Sequence, residues 1–270
     1  MRNWIGPWLG VALAAAALPT PALAGCQSLF LRDTAPTLQS EAMAARTTAL
    51  CNESYAVMAS GVTKGTLWSA EHLTRESVLA ARRIPRNGLF HAETRMPWTD
   101  QAQLRDYKGS GWDRGHMAPS GDAATPDAQS ETFSLANMVP QSPQLNRGRW
   151  ERIEDTVRNL AVKDDDIYVV TGPAFEGTKL AYVGIGRVLV PQITWKAIAD
   201  VARHETGAWI CTNDDQAVCK VVPVSEVIAR AHIDPFPAIP ASDKDHAMAL
   251  PLPDEGRYRG NWEEDKNGSR

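Results

Sequence analysis

The stretch Trp112-Asp113-Arg114-Gly115-His116-Met117-Ala118-Pro119-Ser120 decides how this chain is interpreted. It places a carboxylate, a guanidinium, a glycine and an imidazole at four consecutive positions, a grouping that suits phosphodiester hydrolysis. Imidazole accepts a proton from water near neutral pH, guanidinium binds two phosphate oxygens at once, and glycine lets a substrate or a neighbouring backbone come close. Taken alone, the stretch is equally compatible with a structural histidine, so the interpretation depends on residues elsewhere.

A second group of motifs follows farther along the chain. It consists of the run Phe133–Gln141, which contains Asn-Met-Val-Pro-Gln, the run Leu145–Trp150, which begins Leu-Asn, and then Glu154. In this order and spacing, the segments resemble those of the DNA/RNA non-specific endonucleases. These are the ββα-metal, or His-Me finger, nucleases related to endonuclease G. The resemblance covers roughly residues 54–236.

The resemblance implies a fold, an activity and a cofactor. The expected fold class is α/β (α+β), with a ββα-metal core and a mixed or antiparallel sheet flanked by helices. The expected activity is hydrolysis of DNA and RNA with little sequence preference, supported by one Mg²⁺ for which Mn²⁺ is a possible substitute. A homodimer is compatible with the resemblance. Two alternatives stay open, namely a phosphodiesterase of the same fold acting on another phosphate ester, and an inactive nucleic-acid-binding relative.

The resemblance also implies a role for individual residues. His116 matches the general base that activates water, Asn146 matches the direct metal ligand, and Glu154 matches a carboxylate that orients metal-bound water. Asn137 matches a residue that supports the histidine or the water shell of the metal, and Arg114 matches a residue that binds the phosphate. Arg86, with Arg83 as the alternative, matches the arginine that stabilises the pentacovalent transition state.

Helical geometry supports part of this assignment independently. The spacing predicts a helix over residues 144–162, in which Trp150, Ile153 and Val157 form one apolar stripe. At about 100° per residue, Asn146 points along that stripe and Glu154 lies at its border. An amide and a carboxylate turned towards the core suit a hard cation such as Mg²⁺. The competing interpretation makes Asn146 a helix N-cap and Glu154 a surface partner of Arg158.

The rest of the domain is predicted to consist mainly of strands, with few helices. We predict short helices over residues 75–83 and 224–231. We predict strands over Tyr55–Thr63, Thr66–Leu73, Asp113–Ala118, Ile167–Val170, Val188–Val190, Ile193–Ile198 and Ala208–Thr212.

The first residues predict export. Residues 1–24 combine Arg2, an apolar stretch and the small-residue site Ala22-Leu23-Ala24, as a secretory signal peptide does. We therefore expect a periplasmic or secreted protein with one endonuclease domain over residues 25–250 and a disordered tail over residues 251–270. No later segment approaches the twenty or so apolar residues of a membrane span, so stable membrane insertion is not expected.

Four cysteines, Cys26, Cys51, Cys211 and Cys219, follow the predicted cleavage site. An even number in an exported chain favours disulfides, and pairing between sequence neighbours gives Cys26–Cys51 and Cys211–Cys219. Three connectivities are possible. Leu23-Ala24-Gly25-Cys26 also fits a lipoprotein cleavage site, so a lipid anchor at Cys26 is the alternative.

The charge balance limits the way in which nucleic acid is held. The chain has a net charge of −4, which becomes −5 without residues 1–24. Proteins that hold nucleic acid statically usually present a broad basic face, whereas an enzyme that must release its product needs only a local positive groove. The composition therefore argues against a static nucleic-acid binder.

Overall fold

A computed structural model of the chain describes Leu23 and residues 25–253. The rest of the predicted signal peptide and the part of the predicted tail from residue 254 onwards lie outside the described residues. The elements are, in chain order, β1 (Thr37–Leu38), α1 (Glu41–Ala44), β2 (Thr47–Cys51), β3 (Ala56–Ser60), β4 (Gly65–Leu73), α2 (Arg75–Ala81), α3 (Leu104–Tyr107), β5 (Asp113–His116), α4 (Pro126–Thr132), β6 (Met138–Gln141), a π-helical segment (Leu145–Trp150), α5 (Glu151–Asp164), β7 (Ile167–Ala174), β8 (Tyr182–Val183), β9 (Val188–Leu189), β10 (Ile193–Asp200), β11 (Glu205–Thr212), β12 (Cys219–Val222), α6 (Val224–Ala231) and β13 (Ile233–Asp234).

A seven-stranded sheet in the order β12-β11-β10-β7-β4-β3-β2 forms the centre of the domain. Neighbouring strands are antiparallel throughout, which confirms the α+β class. All eight residues of β10 are buried, because apolar side chains cover both faces of the sheet. Trp195 packs in a cluster with Val227 of α6, whereas Trp209 packs in a second cluster with Ile153 and Val157 of α5. The sheet therefore lies between α6 and α5.

A two-stranded hairpin and α5 form the ββα unit that the resemblance implies. Strands β5 and β6 pair antiparallel, with His116 opposite Met138. Met117 and Val139 of this hairpin share an apolar cluster with Trp150 and Ile153. The hairpin is thereby held between the large sheet and α5, with the Asp-Arg-Gly-His stretch forming all of β5.

The predicted helix over residues 144–162 is wrong in its first turns. Leu145–Trp150 is π-helical, and Gly148 leaves helical geometry at φ −120° and ψ −105°. The regular helix, α5, begins at Glu151 and continues to Asp164. A π-turn contains more residues per turn than an α-helix, so the angular projection from Asn146 to Trp150 does not hold. Single π-turns in helices occur frequently at functional sites.

Most other predicted elements are confirmed, with shifted ends. The elements missed from the sequence are short or lie at sheet edges. Strand β6 contains Pro140, a residue depleted from strands; it is tolerated because β6 pairs only with β5. Strands β2 and β12 are the two edges of the large sheet and are short. The confirmed predictions are α2, α6, β3, β4, β5, β7, β9, β10 and β11.

Two disulfides join the four cysteines. Cys26 is bonded to Cys51 and Cys211 to Cys219, which confirms the pairing between sequence neighbours. The first bond ties the N-terminal segment to the edge strand β2, and the second joins β11 to β12. Within residues 25–253, no helix is both long enough and apolar enough to cross a bilayer.

Candidate active site

His116 ends β5 in a pocket of aromatic rings. The ring centroids of Phe90 and Phe133 lie 5.5 Å and 5.1 Å from that of the imidazole. The side chain is buried, and its Nε2 atom has no hydrogen-bond partner among the described residues. Buried polar atoms are nearly always paired, so an unpaired ring nitrogen needs an explanation, such as a catalytic role or a bound water.

Gly115, directly before His116, leaves room that the hairpin needs. A Cβ atom there would lie 2.4 Å from Oε1 of Gln141, inside the side chain of the opposing strand. The glycine of the Asp-Arg-Gly-His stretch therefore serves close packing within the ββα unit. It lets the hairpin hold His116 against the two phenylalanines.

The surroundings keep His116 neutral. Burial, aided by the positive charges of Arg86 and Arg114, lowers the pKa of its imidazole from 6.5 to about 3. A neutral imidazole is the form that accepts a proton, whereas a pKa this far below neutral also makes it a weaker acceptor than a free imidazole.

Arg114, predicted to bind phosphate, and Arg86, predicted to stabilise the transition state, both lie at this pocket. The guanidinium of Arg114 lies 4.2 Å from the ring centroid of Phe90, and that of Arg86 lies 5.1 Å from the ring centroid of Phe133. Phe90 and Phe133 are also the two rings that contact His116. The structure thus brings Arg86 and Arg114 together with His116, and among the described ring contacts there is none for the alternative, Arg83.

Asn146 is oriented by Asp113, from the other end of β5. Its Nδ2 donates to Oδ2 of Asp113 at 2.9 Å. The same carboxylate accepts two hydrogen bonds from Arg147, at 2.7 Å and 2.6 Å. With Nδ2 held on Asp113, the amide oxygen Oδ1 points away from it. The N-cap interpretation is wrong, because the N–H of Asn146 already donates to Ser142 within the helical segment.

Asn137 supports the backbone that follows His116. Its side chain is fully buried, and both of its amide atoms are used twice. Oδ1 accepts from Ser69 Oγ at 2.8 Å and from the N–H of Ala118 at 2.9 Å, while Nδ2 donates to the carbonyls of Ala118 and Thr132 at 2.8 Å and 2.9 Å. Of the two roles left open for Asn137, this geometry matches support of the histidine strand.

Glu154 is half-buried on α5 beside a group of buried charges. Burial raises the pKa of its carboxyl to about 7, against the opposing charges of Lys196 and Arg158. The competing interpretation, a surface pair of Glu154 with Arg158, does not hold, since the guanidinium of Arg158 donates to Asp122 at 2.8 Å and to Asp155 at 2.6 Å. Both side chains of the Arg158–Asp122 ion pair are largely buried, so Arg158 is not a surface residue.

Sequence reasoning missed two buried charges beside the site, Glu71 and Lys196. Lys196 donates to Thr171 Oγ1 at 2.6 Å and to the carbonyl of Met117 at 3.3 Å, directly after His116. Burial and the charge of Asp122 raise the pKa of the Glu71 carboxyl well above its ordinary value. The available signal was a charged residue within each of two predicted strands, Thr66–Leu73 and Ile193–Ile198.

The donor atoms fit a weakly held hard cation. No group of three or more His, Cys, Asp or Glu residues in the described part of the chain could hold a metal ion. Asn146 presents an oriented amide oxygen, and Glu154 supplies a half-buried carboxylate three residues into α5. Mg²⁺ prefers oxygen ligands and retains several waters, so this sparse oxygen set suits it better than a cage would.

Sequence comparison relates the chain to known nucleases. A sequence model of the DNA/RNA non-specific endonucleases matches residues 34–242. Nuclease C1 of Cunninghamella echinulata var. echinulata is 37% identical over 187 residues, covering 64% of this chain and 73% of that protein. The human mitochondrial nuclease EXOG is 34% identical over 187 residues, covering 62% of this chain and 50% of that protein. The chain therefore spans about three quarters of the fungal relative but only half of the human one.

Structural comparison gives a concordant result. A chain in the crystal structure of the EndoG/EndoGI complex, which concerns the mechanism of EndoG inhibition, superposes with a TM-score of 0.67 at 28% identity. The superposition covers 72% of this chain and 88% of that chain. The similarity supports the α+β fold described above.

Proposed function

Since the chain belongs to the DNA/RNA non-specific endonuclease family, we propose that it hydrolyses internal phosphodiester bonds of both DNA and RNA. His116 is the general base, and one divalent cation, Mg²⁺ or in its place Mn²⁺, is the cofactor. The observation that carries this proposal is the buried, neutral imidazole of His116, whose Nε2 has no partner among the described residues and whose two aromatic neighbours also carry Arg86 and Arg114.

The proposed reaction is in-line attack of water at phosphorus. Nε2 of His116 takes one proton from the attacking water as the new oxygen–phosphorus bond forms. The opposite phosphorus–oxygen ester bond breaks, and its electron pair leaves with the ester oxygen of one product strand, which takes a proton from solvent water to become a hydroxyl. Arg114 binds a non-bridging phosphate oxygen, and Arg86 offsets the charge that builds up on the pentacovalent phosphorus.

In this proposal Asn146 holds the cation directly, and Glu154 orients its bound water. The cation supplies positive charge to the phosphate and to the departing oxygen. Asp113 fixes the amide of Asn146 through the hydrogen bond from Nδ2, which would leave its oxygen available to the cation. Asn137 holds the backbone that carries His116, through its two bonds to Ala118.

Digestion assays with purified protein test this function. Circular plasmid DNA and a structured RNA should both be cut when Mg²⁺ is present, and neither should be cut after chelation. Conversion of the supercoiled plasmid to open-circular and linear forms identifies internal cleavage. An intact plasmid and intact RNA in the presence of Mg²⁺ or Mn²⁺ would contradict the proposal. Hydrolysis of a small phosphate diester alone would favour the alternative phosphodiesterase.

We also infer that the protein is exported and acts in an oxidising compartment. Two disulfides among the described residues support this, because structural disulfides persist mainly outside the cytosol. The Cys26 sulfur is bonded to Cys51, so it is not available for a lipid thioether. Intact-mass analysis of protein from its natural host should give a chain starting at Gly25, four hydrogens lighter than the reduced form. A diacylglyceryl mass on Cys26, or four free thiols, would contradict export as a soluble protein.

A further inference from the structure

The β8–β9 hairpin presents an unusual set of groups to solvent. Ile185, at its tip, is 90% exposed. Beside it, the guanidinium of Arg187 lies 3.9 Å from the ring centroid of Tyr182, and both side chains are exposed. The hairpin therefore offers an aliphatic, an aromatic and a cationic group together.

The tip of this hairpin is fixed in place by Asp106 of α3. The N–H of Gly186 donates to Oδ1 of Asp106 at 2.8 Å. A Cβ atom on Gly184 or Gly186 would lie 2.3 Å from an atom of Asp106, so neither position has room for a side chain. A preformed surface loses little conformational entropy on binding, which favours a binding role for groups held in this way.

The β8–β9 hairpin and α3 form a cationic surface on a protein whose net charge is negative. We call Leu104, Arg105, Lys108, Tyr182, Ile185 and Arg187 the flanking patch; all six are exposed. Asp106 is the one acidic residue in the segments 101–112 and 177–190, and it is buried. The chain as a whole has a net charge of −4, so the patch differs in sign from the average surface. Its charge is complementary to that of a polyanion.

The flanking patch borders the candidate active site. Val183 and Val188 of the hairpin share an apolar cluster with Met138, which pairs with His116. Phe90 and Trp112 pack against the same cluster. Phe90 also contacts the imidazole of His116 and lies under Arg114. A strand bound at His116 therefore has the flanking patch as its neighbour.

We propose that the flanking patch binds the nucleic-acid strand beside the scissile phosphate. Arg105, Lys108 and Arg187 contact phosphates, while Ile185 and Tyr182 pack against sugars and bases. The proposal rests on the proposed function and adds a second contact surface to it. Cationic grooves lined with aromatic groups bind single strands with little sequence preference, which fits a non-specific nuclease.

The test compares a long and a small substrate. In Tyr182→Ala/Arg187→Ala, KM for linear DNA should rise about tenfold, while kcat and the rate with bis(p-nitrophenyl) phosphate stay unchanged. In Arg187→Ala alone, the slope of log affinity against log salt should become shallower by about 0.9 for duplex DNA. Ile185→Glu, which places an anion on a fully exposed tip and leaves the fold intact, should also raise KM for DNA.

Lys163→Ala is the matched control, because it removes one exposed positive charge near the start of β7, away from the hairpin. It should leave KM for DNA unchanged. An unchanged KM in all three patch variants, with wild-type protein cleaving DNA normally, would overturn the inference and leave the proposed function standing. Wild-type protein that cuts neither DNA nor RNA would instead overturn the function. A wild-type dimer that Ile185→Glu converts to a monomer in sedimentation would assign the patch to a subunit interface and overturn the inference.

Discussion

His116→Ala should lower the turnover of plasmid DNA by about 100- to 10,000-fold, the usual contribution of a general base. Nucleic-acid binding should persist, because Arg86, Arg114 and the oxygen ligands of the cation are retained. The measurements are single-turnover cleavage of plasmid DNA and fluorescence anisotropy with labelled DNA. Small imidazole in the medium should restore part of the lost activity, since it fits the space that the side chain leaves.

The matched controls for this prediction are His204→Ala and His91→Ala. His204 lies in the turn between β10 and β11, and His91 follows the aromatic residue that packs on His116. Neither has the unpaired buried nitrogen that distinguishes His116. Loss of activity in either control with near-normal activity in His116→Ala would place the base elsewhere and contradict the assignment.

The environment of His116 also predicts its pH behaviour. Its pKa is lowered from 6.5 to about 3, so the imidazole should remain neutral from pH 8 down to pH 5 in the metal-free protein. The imidazole binds a proton more tightly in the unfolded chain than in the folded one, so protonation favours unfolding. The contribution of His116 to the free energy of unfolding is therefore complete above pH 6.5. It is lost as the pH falls towards 3. An NMR titration of the imidazole checks this, and a midpoint near 6.5 would show that the ring is solvated.

Asn146→Ala should abolish most of the Mg²⁺-dependent activity, by about 100-fold or more, because it removes the single direct protein ligand in the proposed site. Folding should be retained, since the side chain is half-buried, the lost hydrogen bond to the Asp113 carboxylate contributes about 1.5 to 3 kcal/mol, and Asp113 keeps its two bonds from Arg147. Part of the activity should return when the Mg²⁺ concentration is raised. The measurements are kcat/KM against Mg²⁺ concentration and the thermal unfolding midpoint.

Two further variants test the reason for this loss. Asp113→Ala leaves the amide of Asn146 in place but removes the acceptor that orients it, so activity should fall by less than in Asn146→Ala and also improve with Mg²⁺. Asn159→Ala removes an exposed amide on α5 whose oxygen accepts a hydrogen bond from Arg82. It should leave activity unchanged. Near-normal turnover of Asn146→Ala at ordinary Mg²⁺ concentration would exclude Asn146 as the ligand.

The sequence by itself determined the family and most of the framework. The Asp-Arg-Gly-His stretch and the motifs that follow it are local runs, so their order along the chain was enough to indicate the family. The alternating and continuous apolar runs located β4, β7, β10 and β11, because burial within a sheet is encoded in neighbouring residues. The disulfide pairing also followed from sequence, since each bond joins the nearest cysteines.

Only the tertiary structure decided how the site is held and what surrounds it. The hydrogen bond from Asn146 to Asp113 crosses 33 positions, and that from Gly186 to Asp106 crosses 80, so no local pattern reports them. The π-helical turn at Leu145–Trp150 replaced the regular helix that propensity favours. The burial of Glu71, Lys196 and His116, and with it the lowered pKa of the imidazole, results from packing between strands distant in sequence. Such contacts depend on how the whole chain folds, which is why they became visible only in three dimensions.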